Sequence, residues 1–267
     1  MKRLLRYATI AFAILSLSAC EYDEGTTPRP DRLGKTIWDI AYPDLQRVNE
    51  IFNLVANYNY YLTIEDDFEV EDGTGNNSNS ESDRFKREKL NNPKEITVVD
   101  NVHTLIYETG YGTTYSITFV IQQDKWEVTR TGGNGFDLTI RETEKDTYDA
   151  VFNTIYNSES TGYGELTAKM FYNEEGTPDI EFKGTLVMVD REESYTNPLT
   201  VTTKITEWLR FSNEQYYDIV PTKGRMVITV TDELYNTTDK ITAYIVKDNY
   251  HYGVSIECLG DKQGYYF

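Results

Sequence analysis

Cysteine is scarce in this chain: its 267 residues hold two, Cys20 and Cys258. A small disulfide-stapled scaffold needs several, so that class is excluded. Histidine is equally scarce. His103 and His251 stand alone, so no Cys/His cluster exists to hold structural zinc, and no metal or other cofactor is expected. Positive charge is also short. Lys and Arg number 26 against 44 Asp and Glu, for a formal charge of −18. Such a surface repels nucleic acid and anionic lipid, so neither is an expected partner. A G-x-S-x-G nucleophile elbow and a P-loop are both absent. The glycine-rich stretches "GGNGFD" and "GYGTTY" join no strand to a helix and read as turns. A membrane-spanning run is missing too: the apolar stretch "ATIAFAILSLS" falls well short of the roughly 20 residues a spanning helix needs.

What is present begins with an address. The basic "MKRLLRY" followed by that short apolar stretch has the layout of a secretory signal over residues 1–19. It ends in Leu17-Ser18-Ala19-Cys20, which matches the bacterial lipobox. The match implies cleavage before Cys20, a diacylglycerol on its thiol and acylation of the new amine, so the first partner is a membrane reached through the N-terminal lipid. Several acyl chains make such anchoring stable, since each buried methylene contributes about 0.8 kcal/mol. Beyond the lipid, Glu21, Asp23 and Glu24 form an acidic cluster. Lipobox and cluster together resemble the Bacteroidetes outer-membrane lipoproteins, in which such acids act as an export signal to the cell surface. The resemblance implies an outer-membrane, surface-displayed protein, with the periplasmic face of that membrane as the alternative.

Residues 20–35, with two prolines and two glycines among many charges, read as a flexible, lipidated tether. From Thr36 apolar residues recur every three or four positions: Ile37, Ile40, Ala41, Leu45, Val48, Ile51, Phe52 and Val55. This spacing predicts an amphipathic helix over about 43–57, with Pro43 in its first turn and a short turn at 36–41 before it. "NYNYYLTIED" then alternates Tyr58, Tyr60, Leu62 and Ile64, which predicts a strand. Residues 65–93 are polar and lack an apolar period, and read as a mobile acidic loop. The acids between Asp66 and Asp72 do not fit the spacing of a calcium-binding loop, because Gly73 falls one place late.

From residue 94 onward strands follow every 10–14 residues with short connections, which argues for antiparallel hairpins and meanders. Ile117 and Phe119, then Phe136, Leu138 and Ile140, then Leu166, Ala168 and Met170 each mark one apolar face. "KGTLVMVDR" is apolar on both faces, as a central strand would be, and "EKDTYDAVFNTIY" at 144–156 leaves a second short helix open. The expected fold is mainly β: antiparallel sheets, as a sandwich or a partly open barrel, with an N-terminal amphipathic helix, spanning residues 36–267. Cys258 shares a face with Val254 and Ile256 and is expected as a buried free thiol.

The chain carries no recognisable catalytic motif, so the functional expectation is a binding or structural protein of the cell envelope, not an enzyme. Two alternatives stay open: a surface hydrolase of polysaccharide or peptide working with a carboxylate pair, and an accessory subunit of a nutrient-uptake complex. Tyrosine, with 22 copies, is unusually frequent beside turns. Tyr111, Tyr115, Tyr216, Tyr217 and Tyr250 are the candidate ligand-binding rings, because aromatic faces at loop tips can stack on sugars. The expected partner is therefore a glycan or an envelope protein.

Overall fold

The computed structural model describes residues 30–65, 90–133, 135–155, 161–172, 178–190, 199–211, 220–233, 235–247 and 251–267. One helix, α1 (Pro30–Glu65), precedes thirteen strands: β1 (Glu95–Val99), β2 (Val102–Glu108), β3 (Thr114–Gln122), β4 (Lys125–Thr131), β5 (Gly135–Glu144), β6 (Thr147–Ile155), β7 (Thr161–Tyr172), β8 (Pro178–Asp190), β9 (Leu199–Phe211), β10 (Pro221–Asp232), β11 (Thr237–Lys247), β12 (Tyr252–Cys258) and β13 (Asp261–Tyr266). Each strand pairs antiparallel with the next, in one sheet ordered β1 to β13. The mainly β, antiparallel expectation with an N-terminal helix is what the chain adopts. Among the described residues no second sheet packs on the first; the helix covers the inner face instead. Since β1 and β13 pair only inward, the sheet is open rather than a closed barrel. Among the described residues no helix is long and apolar enough to cross a membrane.

The helix departs from expectation at both ends. It starts at Pro30, inside the stretch read as a tether. Proline suits a first helical position, where its missing N–H has no partner to lose. Gly34, also read as tether, is buried in helix; a Cβ there would lie 3.0 Å from Ile256 and 3.2 Å from Cys258, so glycine lets the helix approach β12 closely. Pro43 is exposed and passes within the helix. It removes one helical hydrogen bond, but Ile37 and Ala41 before it and Leu45 and Val48 after it bury the same face, and that packing holds the two segments as one. The expected strand at 58–64 is helix. Tyr58, Tyr61 and Leu62 are as well spaced for a helix as Tyr58, Tyr60 and Leu62 are for a strand, and Tyr58 is fully buried. The option of a helix at 144–156 is likewise overturned. Those residues supply β6, where Ala150 and Phe152 face the core and Val151 faces out, the two-residue period of a strand.

The helix determines the curvature of the sheet. Near its start Trp38 and Tyr42 pack on Phe267, just past β13, with ring centroids 6.0 and 5.5 Å apart. Near its end Tyr58 stacks on Phe119 of β3 at 3.8 Å. From Trp38 to Tyr58 the helix rises about 30 Å, whereas ten flat strand spacings would need about 48 Å. The sheet must therefore curl around the helix to touch it at both places. Two glycine bulges mark the bend in the middle strands. Gly184 (φ 138°) and Gly224 (φ 141°) adopt dihedrals closed to other residues, and the β8–β9 and β9–β10 registers slip beside them. Cys258 is 3% exposed and free, as expected, and burial pushes its thiol pKa up.

Candidate functional site

Near the starts of β2 and β4 and the end of β3 lies the last part of the helix, where Tyr58 touches His103, Phe119 and Trp126. At the opposite end of the same strands, two tyrosines meet across β2 and β3. Tyr107 of β2 lies directly across from Tyr115 of β3. Their rings stack at 4.9 Å with 9° between planes. The Tyr107 hydroxyl donates to the Leu90 carbonyl at 2.9 Å, and Leu90 is itself fully buried. Burial first, and the neighbouring Tyr115 phenol second, push the Tyr107 pKa well up, with Arg130 pulling it back.

Arg130 completes the column. It lies on β4, and its guanidinium carbon stands 4.0 Å from the centroid of the Tyr115 ring. One side of the guanidinium is held by that ring; Gly133, in the following turn, would bring a Cβ to 3.7 Å from its Nη2. Nε is buried with no hydrogen-bond partner, and no carboxylate among the described residues forms an ion pair with Arg130. In a chain with so large an excess of acids, an arginine on the inner face without an acidic partner is unusual. Along the same cross-strand row, Arg130 pairs with Phe136 and Phe136 with Thr154. Thr154 is 2% exposed, and its hydroxyl also lacks a partner.

Two of the sequence-predicted tyrosines belong to this rim. Tyr115 is its central ring. Tyr111 occupies the β2–β3 turn and is 97% exposed. The turn is pinned beneath it: Thr109 N–H donates to the Thr113 carbonyl at 2.8 Å, Gly112 N–H to the Thr109 carbonyl at 2.9 Å, and the two threonine hydroxyls are bonded. The other candidates, Tyr216, Tyr217 and Tyr250, lie outside the described residues, as do Cys20, Glu21, Asp23 and Glu24 and the acids from Asp66 onward in the 65–93 stretch. Among the described residues no three His, Cys, Asp or Glu side chains converge as a metal site requires.

A second cluster lies on the outer face. Trp208 of β9 has the Lys169 and Lys183 amines 4.4 and 4.6 Å from its ring centroid, and Tyr244 of β11 is flanked by Arg225 at 4.8 Å and Lys262 at 5.4 Å. Arg225 also pairs with Glu207, and the neighbouring Lys223 pairs with Glu181 at 3.1 Å. The cluster therefore reads as a laced solvent face, with each exposed cation–π contact contributing about 0.5–1 kcal/mol.

Arg130 was missed by reading for tyrosines, yet its signal was there. In "KWEVTRT" it follows Trp126 and Val128 in the inward phase, where a charge is out of place. Comparison with known protein families, with characterised proteins and with solved structures finds no match. The chemistry of the rim thus rests on its own geometry: a flat stacked column, one unpaired cation, and one fully exposed ring on a pinned turn.

Proposed function

We propose that the protein is a lipid-anchored binding protein of the cell envelope, held in the outer membrane through Cys20, displayed at the cell surface by Glu21, Asp23 and Glu24, and capturing a glycan at the Tyr111–Tyr115 rim without catalysis. The observation that carries the glycan reading is Tyr111. A tyrosine ring favours burial, and this one is presented to water on a turn closed by backbone and threonine hydrogen bonds. A ring so placed loses little conformational freedom when a sugar face stacks on it. The address is supported by the lipobox and the acids after it.

The two parts are tested separately. Affinity electrophoresis of the full chain through gels carrying envelope or dietary polysaccharides should show retardation by at least one, relieved in Tyr111→Ala; migration unaffected by every polysaccharide would sink the glycan reading. Metabolic labelling with a palmitate analogue should mark the wild type and not Cys20→Ala. Replacing Glu21, Asp23 and Glu24 with alanine should protect the protein from protease added to whole cells.

A further inference from the structure

We infer that Arg130 is an anion-binding residue of the rim and that the glycan it selects carries a carboxylate or sulfate group on its sugars. The inference deepens the glycan reading above and rests on it. The guanidinium is charged at every physiological pH and offers five donors in a planar fork that matches an oxyanion. Here its carbon stands 4.0 Å from the centroid of the Tyr115 ring, which holds one side of the guanidinium before any ligand arrives. It has no ion-pair partner among the described residues, and its Nε is buried without a hydrogen bond. An unmade hydrogen bond from a buried charged group is costly, so the site is left short of an acceptor that a ligand can provide. Thr154, two strands along the same row, is a second buried group without a partner. The turn bearing Tyr111 and the turn after Arg130 lie at the same end of the sheet, because alternate turns of an antiparallel meander share an end. Stacking from Tyr111 and charge from Arg130 are thus presented on one side of the molecule. The overall negative charge then acts as a filter: it disfavours long polyanions and leaves short anionic oligomers as the better fit.

The test is calorimetric titration of the full chain, purified in detergent, with tetragalacturonate, a sulfated galactan tetrasaccharide and neutral galactotetraose. The wild type should bind one of the two anionic oligomers about tenfold or more tightly than the neutral one. Which of the two it prefers separates carboxylate from sulfate. Arg130→Gln should bring that oligomer down to the neutral level, Arg130→Lys should keep part of the preference, and Tyr111→Ala should weaken all binding together. Melting curves check that the variants are folded, and the lysine variant keeps the test open if glutamine disrupts the stack. Tyr111-dependent binding without any anionic preference, or a preference that survives Arg130→Gln, overturns the Arg130 assignment and leaves the glycan reading intact. If no oligosaccharide binds, the glycan reading falls. The Arg130 Nε–H resonance is then titrated with sodium sulfate and with galacturonate. A shift keeps the anion site with a different ligand, and no shift overturns it.

Discussion

The inner face of β8–β13 is built largely from aliphatic side chains, among them Ile205, Ile228, Ile241, Ala243, Val254 and Ile256, whereas that of β2–β6 is built around Tyr107, Tyr115, Phe119, Trp126, Phe136 and Phe152. The helix accounts for the difference. Against β8–β13 it lays down Leu33, Ile37, Ala41 and Leu45 along its length, so aliphatic side chains suffice over most of these strands, with Phe182 and Phe211 as the exceptions. Over β2–β6, among the described residues, it contributes Tyr58 near its end, and the inner face there is rich in rings. Aromatic residues are the means available, since each ring buries roughly 150–250 Å². The stacked rim lies on this aromatic side. Where the helix stops, rings are left stacked on one another and on an arginine, with one edge open to solvent.

The largest effect expected from breaking this arrangement is at the helix. Phe52 is 1% exposed and packs on Phe182 at 5.5 Å. Phe52→Ala should cost about 3–5 kcal/mol in urea denaturation. Tyr58→Ala, further along the same helix, should cost a similar amount. Because one helix touches both halves, single-tryptophan variants reporting from Trp38, Trp126 and Trp208 should unfold with one midpoint in either background. Separate midpoints for Trp126 and Trp208 would mean that the two halves are independent units, and the helix a lid on one of them.

The next effect concerns curvature. At Gly184 an added Cβ would lie 2.3 Å from the Glu165 carbonyl oxygen, a backbone atom with little room to yield, and φ is 138°. Gly184→Ala should therefore cost about 1–3 kcal/mol from strain and overpacking. If curvature of the middle strands brings β13 and β3 to the same helix, the variant should also weaken the Trp38–Phe267 and Tyr58–Phe119 contacts, read as lost near-ultraviolet dichroism. A destabilised variant with unchanged dichroism would confine the role of Gly184 to its own bulge.

Much of this was legible in the sequence. The two-residue period gave the faces of the strands correctly, because an open antiparallel sheet with one covered face enforces inside–outside alternation at every position. The central place of β8 followed from its apolar character on both faces. What failed were boundaries governed by tertiary packing. Proline and glycine at 30–34 signalled a linker locally, but in the fold Pro30 opens the helix and Gly34 lets it touch β12. Between 58 and 64 two periods fit equally well, and only the presence of Phe119 and Trp126 opposite Tyr58 decides for the helix. Tyr111 and Tyr115 were found by their position beside a turn. Arg130 was not, because the reason it matters is the lack of an acid near it, and that depends on which strands are neighbours.

A smaller effect sharpens the contrast at the rim. Tyr107→Phe removes the donor to the Leu90 carbonyl while keeping the stack, and should cost about 1–2 kcal/mol. Its pH dependence has a definite sign. The phenol pKa is raised in the fold, so the protonated form is favoured there and its contribution is complete below the unfolded value of 10.0. The wild type should lose that contribution as pH climbs above 10, so the gap between wild type and Tyr107→Phe should narrow in alkaline solution. A gap that widened instead would put the phenolate, not the phenol, in the folded rim.

The smallest effect belongs to the helix-covered half. Asp239, on the strand that pairs with the Cys258 strand, has its carboxyl pKa raised by burial alone. Ionising it costs more in the folded state than in the unfolded one, so its contribution is fully present below the unfolded value of 3.8 and is lost as pH rises through the folded value. At pH 7 the wild type therefore carries a small penalty that Asp239→Asn removes. The gain should be on the order of a few tenths of a kcal/mol, because water still reaches this carboxyl and screens it. Thermal melts should show the variant slightly more stable at pH 7 and equal to wild type near pH 3.5. An advantage that persists in acid would have to come from side-chain packing against Ile241 and Cys258. In that case the aliphatic half would tolerate an uncharged polar group at its margin as readily as the aromatic half tolerates Thr154.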